Sequence, residues 1–194
     1  MVDADIADKS YCMSKEQINI SFKIIGSPIG ELVAAATDDG LCLLEFIDSR
    51  DPLFVVQKTI NNPGAVIRQQ DHAHLIQTES ELAEYFSGKR RMFSIPLVPF
   101  GTPFQQQVWQ ALKQVHYGKT NSYKQQALVL KNLLAIRAVA HANGSNPIAI
   151  IIPCHRIVGS NGSLTGYAGG LHRKKWLLDF EKQSTGQFNS LFPL

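Results

Sequence analysis

The chain of 194 residues changes its apolar rhythm at Phe100-Gly101-Thr102-Pro103, and that change limits its fold more than any other feature. Before it, Ile18, Ile20, Phe22 and Ile24 alternate with polar or small residues, the period-two pattern of a half-buried strand. A turn cluster, Gly26-Ser27-Pro28-Ile29-Gly30, leads into an apolar run over 32–36. Asp38-Asp39-Gly40 is a hairpin-type turn, and 41–46 makes the returning strand. Leu75, Ile76, Leu82, Tyr85 and Phe86 recur at near-helical spacing and stop at Gly88. The stretch 95–99 holds two prolines, which disfavour the helical region in their predecessors, and reads as extended.

After the change, Thr102 is a helix N-cap, Pro103 fits the first helical position and Gln105 completes a capping box. Val108, Ala111, Leu112 and Val115 mark one face of that helix, which ends before Gly118. A second helix starts at Tyr123. Asn132 is placed to cap a third, with Ile136, Val139 and Ala140 inward and Gly144 as its stop. The expected organisation is a small α/β domain over 1–99, an antiparallel sheet plus helix, followed by a mainly α domain over 100–194. Two short helices joined by a tight connection are the sequence form of a helix-turn-helix. Arg137 and His141 lie one turn apart on the outer face of the third helix.

Charge divides at the same place. Residues 1–99 carry nine Lys/Arg against fourteen Asp/Glu and residues 100–194 carry ten against two, so a balance of −5 meets one of +8 within a net +3. From Phe100 to Leu178 there is no carboxylate, and a segment so basic points to a polyanionic partner. Charge supplies a field and not a site, so a basic surface without a specific partner stands beside that reading. No apolar run approaches the roughly 20 residues needed to cross a bilayer. The first dozen residues, with Asp3, Asp5 and Asp8, do not form a secretory signal. Three cysteines, Cys12, Cys42 and Cys154, suit a reducing compartment better than a disulfide framework, and a cytoplasmic location is expected.

The β-branched run 148–152 reads as a buried strand ending in Pro153-Cys154-His155-Arg156. An isolated cysteine at such a place is core filler by default. Its neighbours argue otherwise: His155 is a base, Arg156 brings positive charge, and 163–170 is a glycine-rich loop that a flat ligand can approach. Histidine and positive surroundings lower a thiol pKa from about 8.5 and favour the nucleophilic thiolate. A Cys–His pair needs a group to orient the imidazole, and Asp179 and Glu181 are the local acidic candidates. A Leu171, Lys174, Leu178, Glu181 series marks the helix that carries them.

Gly101 to Trp109, Arg137-Ala138-Val139, Asn146-Pro147, Ile152 to Gly159, and Gly166 to Leu171 through Trp176-Leu177-Leu178 together resemble the O-6-alkylguanine-DNA alkyltransferases, the methylated-DNA–protein-cysteine methyltransferases. The match runs in register over 101–181. The first hundred residues resemble the family's N-terminal domain in length and in the order of strands and turns. The resemblance implies a ribonuclease-H-like N-terminal domain and a winged-helix-like C-terminal domain. It implies single-use repair of O-6-alkylguanine in DNA, with O-4-alkylthymine as a related lesion, by a monomer on the minor groove. Cys154 is then the alkyl acceptor, His155 its base through a bound water, Glu181 the orienter of His155, and Asn146 the brace of the cysteine site. Tyr167 would hydrogen-bond the leaving oxygen. Val158, Gly159, Ala168 and Gly169 would line the guanine pocket. Arg137 would fill the gap left by the flipped base, Tyr123 would help rotate the nucleotide out, and Ala138, Ala140 and His141 would meet the groove beside them.

The chain departs from the family pattern in three places. Ala140-His141 stands where a Gly-Gly pair is frequent, Lys124-Gln125-Gln126 follows Tyr123, and Ala168 stands where some members carry serine. Cys12, Cys42, His72 and His74 lack zinc-ligand spacing, so no metal and no cofactor is expected. Three rival readings remain: a lesion-binding protein without transfer chemistry, a regulator fused to an extra metal module, and a cysteine hydrolase. Cys154 opposes the first, chain length and ligand count the second, and absence of turnover would exclude the third.

Overall fold

The computed structural model describes residues 17–185, so Cys12 and the polar stretch to Ser14 lie outside the described residues. The expected hairpin forms as β1 (Ile18–Ile25), β2 (Leu32–Thr37) and β3 (Gly40–Phe46). Two elements follow that the sequence reading did not anticipate, α1 (Pro52–Ile60) and β4 (Ala65–Gln69). The Asp51 side chain caps α1 by accepting from Phe54 N at 2.8 Å, and Pro52 fills its first turn. The excursion returns the chain to the far side of the sheet, where β4 pairs with β1 in parallel. The strand order β3-β2-β1-β4 is therefore mixed, which corrects the all-antiparallel expectation.

β2 is buried along its whole length and faces two cores. Val33 and Ala35 point to the side covered by Val55, Val56 and Ile60 of α1. Leu32, Ala34 and Ala36 point to the other side, against Leu75, Leu82 and Tyr85 of α2 (Ala73–Phe86) and Val108 and Leu112 of α3 (Pro103–Leu112). Each such leucine, isoleucine or valine contributes about 1.5–3 kcal/mol of burial. The second core binds the sheet to the helical half of the chain.

The outer edge of β3 is covered by two one-residue bridges, Leu41 with Leu97 and Leu44 with Ile148. Leu44 N donates to Pro147 O at 2.8 Å, and Ala149 N donates to Leu44 O at 2.8 Å. These bonds hide an edge that would otherwise be free to pair, and they moor the chain leading to Cys154 on the N-terminal sheet. Beyond that bridge the expected strand over 148–152 does not form. Ile150 takes φ 68°, with Ile151 N bonded to Ala149 O at 2.7 Å. A β-branched residue in this tight turn is strained, and it persists because the surrounding bonds fix it.

The capping box of α3 forms as read, with Thr102 and Gln105 each bonded to the other's backbone N–H. α4 (Tyr123–Val129) and α5 (Ile136–Gly144) pack on α3. Trp109 Nε1 donates to Ala142 O at 2.8 Å, and the buried Gln126 and Asn143 side chains exchange hydrogen bonds between α4 and α5. Asn132 precedes a 3-10 turn, Leu133–Ala135, and its side chain makes no capping bond, so the third helix starts later than expected, at Ile136. Asn121–Ser122 (β5) and Ile157–Val158 (β6) form a short parallel pair, and α6 (Leu171–Ser184) closes the described chain. No described helix is long and apolar enough to cross a membrane.

Candidate active site

Cys154 opens a short 3-10 turn, Cys154–Arg156, reached through Pro153 at φ −83°, ψ 59°. Asn146 staples this turn from the other side. Its Nδ2 donates to Ile152 O at 2.8 Å, to Ile148 O at 3.2 Å and to the Cys154 sulfur at 3.1 Å, while its Oδ1 accepts from Ile148 N. One amide thus fixes the strained backbone and holds the sulfur. Cys154 is 8% exposed, and burial raises its thiol pKa; the Asn146 bond and the Lys174 charge pull the other way.

His155 is fully buried, and its Nε2 lies 3.0 Å from Glu181 Oε1. Glu181 receives far more than one bond. Tyr85 Oη donates to Oε1 at 2.8 Å, Gly118 N donates to Oε2 at 3.0 Å, and the Arg156 guanidinium bonds both oxygens. Burial raises the Glu181 pKa, but the hydrogen bonds from His155 and Arg156 and the Arg156 charge outweigh it and hold the carboxyl well below the usual range. Burial lowers the His155 pKa against the pull of Glu181, which favours the neutral imidazole beside the carboxylate. With Nε2 committed to Glu181, His155 Nδ1 is left without a partner among the described residues. Asp179, the other acidic candidate, pairs instead with Lys175 at 2.6 Å on the surface.

Three participants escaped the sequence reading in part or whole. Arg156 does not sit as free charge beside the thiol; it is bound to Glu181 and to Val115 O at 2.7 Å. The positive charge near Cys154 belongs to Lys174, fully buried, whose Nζ donates to Ile157 O, to Thr165 O at 2.6 Å and to Gly166 O at 3.1 Å. Burial lowers its pKa to about 8. Tyr85 comes from α2, far away in sequence. The one available signal was the spacing of Lys174, Leu178 and Glu181, which puts two charged groups on the inward stripe of a helix.

A cavity of about 540 Å³ opens beside Cys154, lined among others by Phe46, Asn146, Tyr167, Ala168 and Gly169. Tyr167 Oη is buried without a partner among the described residues, and its ring stands edge-on to His155 with centroids 6.5 Å apart. Tyr123 Oη donates at 3.2 Å to Thr165 O, one of the carbonyls that Lys174 holds. Val158 and Gly159 line a separate depression with Ser122 and Lys124, so only half of the expected guanine-pocket residues share the cysteine's cavity. Arg137, Ala138 and His141 are exposed along one face of α5, with Leu134 one turn before them; Ala140 lies half-buried at its border. Among the described residues no group of three or more His, Cys, Asp or Glu is placed to hold a metal ion.

Taken together, fold and site define a protein built around a buried cysteine next to a hydrogen-bonded His–Glu pair, with a helix that exposes Arg137 and His141. Residues 103–183 match the family described as 6-O-methylguanine DNA methyltransferase, DNA binding domain, and residues 20–99 match its ribonuclease-like domain. A methylated-DNA–protein-cysteine methyltransferase of Methanosarcina barkeri is 42% identical over 163 residues, covering 84% of this chain and 98% of its own. The constitutive methylated-DNA–protein-cysteine methyltransferase of Bacillus subtilis is 40% identical over 159 residues, covering 81% and 93%. The Mycobacterium tuberculosis relative crystallised in complex with DNA superposes with a TM-score of 0.71 at 37% identity, over 86% of this chain and 94% of its own. The chain belongs to the 6-O-methylguanine DNA methyltransferase family.

Proposed function

We propose that the protein repairs alkylated DNA by direct reversal, taking the alkyl group from O-6-alkylguanine onto Cys154 once per molecule. The observation that carries this reading is Cys154 on the wall of a cavity, followed in the chain by His155 in its buried bond to Glu181, within a chain whose relatives are named for the reaction. The thiol proton passes to His155 Nδ1, the ring atom left open by the Glu181 bond, through a water. The sulfur then forms its bond to the alkyl carbon as the carbon–oxygen bond breaks. The electron pair stays with guanine, which takes up a proton, and Tyr167 Oη donates a hydrogen bond to the leaving oxygen. The thioether product has no leaving route.

DNA is the partner, and we assign it to the basic helical half, winged-helix-like in arrangement. The exposed face of α5 lies in the minor groove, where a helix with small and apolar residues fits and sequence information is poor. Arg137 occupies the space of the extruded base, and Tyr123, close to the cavity, assists the rotation. Ala168 and Gly169, which line the cysteine's cavity, frame the base. The ribonuclease-H-like domain supports the site, and the protein acts as a cytoplasmic monomer without metal or cofactor. After mixing with duplex containing O-6-methylguanine, peptide mass spectrometry is expected to find one added methyl group on Cys154. A methyl group elsewhere, or none, overturns the assignment.

A further inference from the structure

We infer that the N-terminal domain takes part in substrate binding through an interdomain clamp, Asp48 with Arg173, that sets the position of the cavity wall at Gly169. The inference rests on the transfer reading above and assigns Arg173 and Asp48 as positioning residues, since neither touches the reacting atoms. Arg173 lies in the first turn of α6 and is nearly buried. Its guanidinium makes a two-pronged ion pair with Asp48, with Nη1 to Oδ2 at 2.8 Å and Nη2 to Oδ1. Nε donates to Ile29 O at 2.7 Å, and Nη1 donates to Gly169 O at 3.0 Å. The plane lies over Phe46, with Cζ 4.2 Å from the ring centroid. A planar fork with fixed donors is suited to hold three backbone and side-chain groups in one geometry.

Three of those contacts come from the N-terminal sheet and its loops, and the fourth is the wall of the Cys154 cavity. Phe46 and Gly169 both line that cavity. They meet so closely that a Cβ on Gly169 would stand 2.8 Å from Phe46 Cδ2 and 2.8 Å from Tyr167 Cε1. On the other side, a Cβ on Gly30, at φ +119°, would stand 2.8 Å from Arg173 Nη2. Asp48 reaches the guanidinium from a loop in which Asp48 and Ser49 take φ 45° and 66°, consecutive left-handed positions that residues with a side chain avoid. The Arg173 bond holds the Asp48 carboxyl below its ordinary range despite some burial. Lys174 secures the other end of the same loop through the Thr165 and Gly166 carbonyls, entirely within the helical half. The loop is therefore fixed at one end by its own domain and at the other by its neighbour.

The test is a saturation curve for methyl transfer from free O-6-methylguanine base, which requires the pocket but no base flipping. It is run on wild type, Asp48→Asn and Arg173→Lys, together with the rate of Cys154 alkylation by iodoacetamide and the thermal midpoint. The clamp predicts that the half-saturating base concentration rises roughly ten- to a hundredfold in both variants, the cost of a misplaced wall. The limiting rate and the iodoacetamide rate stay within about twofold, because the sulfur and its relay are untouched. Arg173→Lys keeps the charge and loses the fork, so it carries the test if Asp48→Asn does not fold. Saturation curves that overlay wild type, whatever happens to the thermal midpoint, reduce the pair to a structural ion pair and overturn the inference. A wild-type protein that takes no methyl group from base or duplex overturns the transfer reading and this inference with it.

Discussion

Replacing Glu181 with glutamine separates stability from chemistry in this site. The carboxylate is fully buried and accepts from Tyr85, His155, Arg156 and Gly118. An amide there removes the charge that compensates Arg156 and turns an NH2 group toward existing donors. Breaking a buried pair in this way costs about 3–5 kcal/mol. For a domain of this size each kcal/mol moves the thermal midpoint about 2–4 °C, so a fall of about 6–20 °C is expected by calorimetry. The acid limb changes as well. The Glu181 pKa in the folded protein lies below its unfolded value, so its contribution is present above about pH 4.5 and is lost as pH falls toward the folded value. The variant loses that part of the acid sensitivity. Transfer, measured by single turnover well below the variant's midpoint, slows about a hundredfold or more, because His155 is no longer held as a base. A double variant, Glu181→Gln with Arg156→Met, removes both charges, keeps an acceptor for Tyr85 or Gly118, and recovers part of the midpoint while remaining slow. A Glu181→Gln protein with a wild-type midpoint, or a double variant that regains the rate, refutes the reasoning.

Lys174→Met removes the cation whose field lowers the Cys154 pKa, so the pH–rate profile shifts toward alkaline pH and the neutral rate falls; an unshifted profile assigns Lys174 to the fold alone. Asn146→Ala leaves the Ile152 carbonyl and the sulfur without their donor, and slows both iodoacetamide alkylation and methyl transfer; equal rates to wild type would remove the brace. Arg137→Ala slows repair of duplex far more than reaction with free base, whereas Lys113→Ala and Lys182→Ala only soften duplex binding, with a weaker dependence on salt. Equal impairment on duplex and base would remove Arg137 from the gap-filling role.

The α3 cap and the β1–β3 meander were legible because their signals are local: Thr102 with Gln105, Asp38-Asp39-Gly40, and the alternation from Ile18 to Ile24. α1 carried a readable Asp51-Pro52 start with Val55, Val56 and Ile60 behind it, and was missed because nine residues show little more than two turns of pattern. β4 is short and half polar, and only its parallel pairing with β1 makes it a strand. The run over 148–152 has strong strand propensity, but tertiary bonds to Leu44 and Asn146 override it and bend the chain at Ile150 to present Cys154. Cys154, His155 and Glu181 could be nominated from residue types. The Lys174, Leu178, Glu181 spacing turns Glu181 and not Asp179 inward, whereas that Arg156 serves the carboxylate and that Tyr85 joins from 96 residues away are facts of packing with no local trace.

The most direct test of the transfer mechanism is a count. Protein of known active concentration is mixed with an excess of duplex carrying radiolabelled O-6-methylguanine, and protein-bound label is followed to completion. One methyl group per chain, bound to Cys154 and absent in Cys154→Ala but retained in Cys42→Ala, is the predicted result. Label on a chain lacking Cys154, or demethylated guanine continuing to accumulate beyond one equivalent, contradicts it.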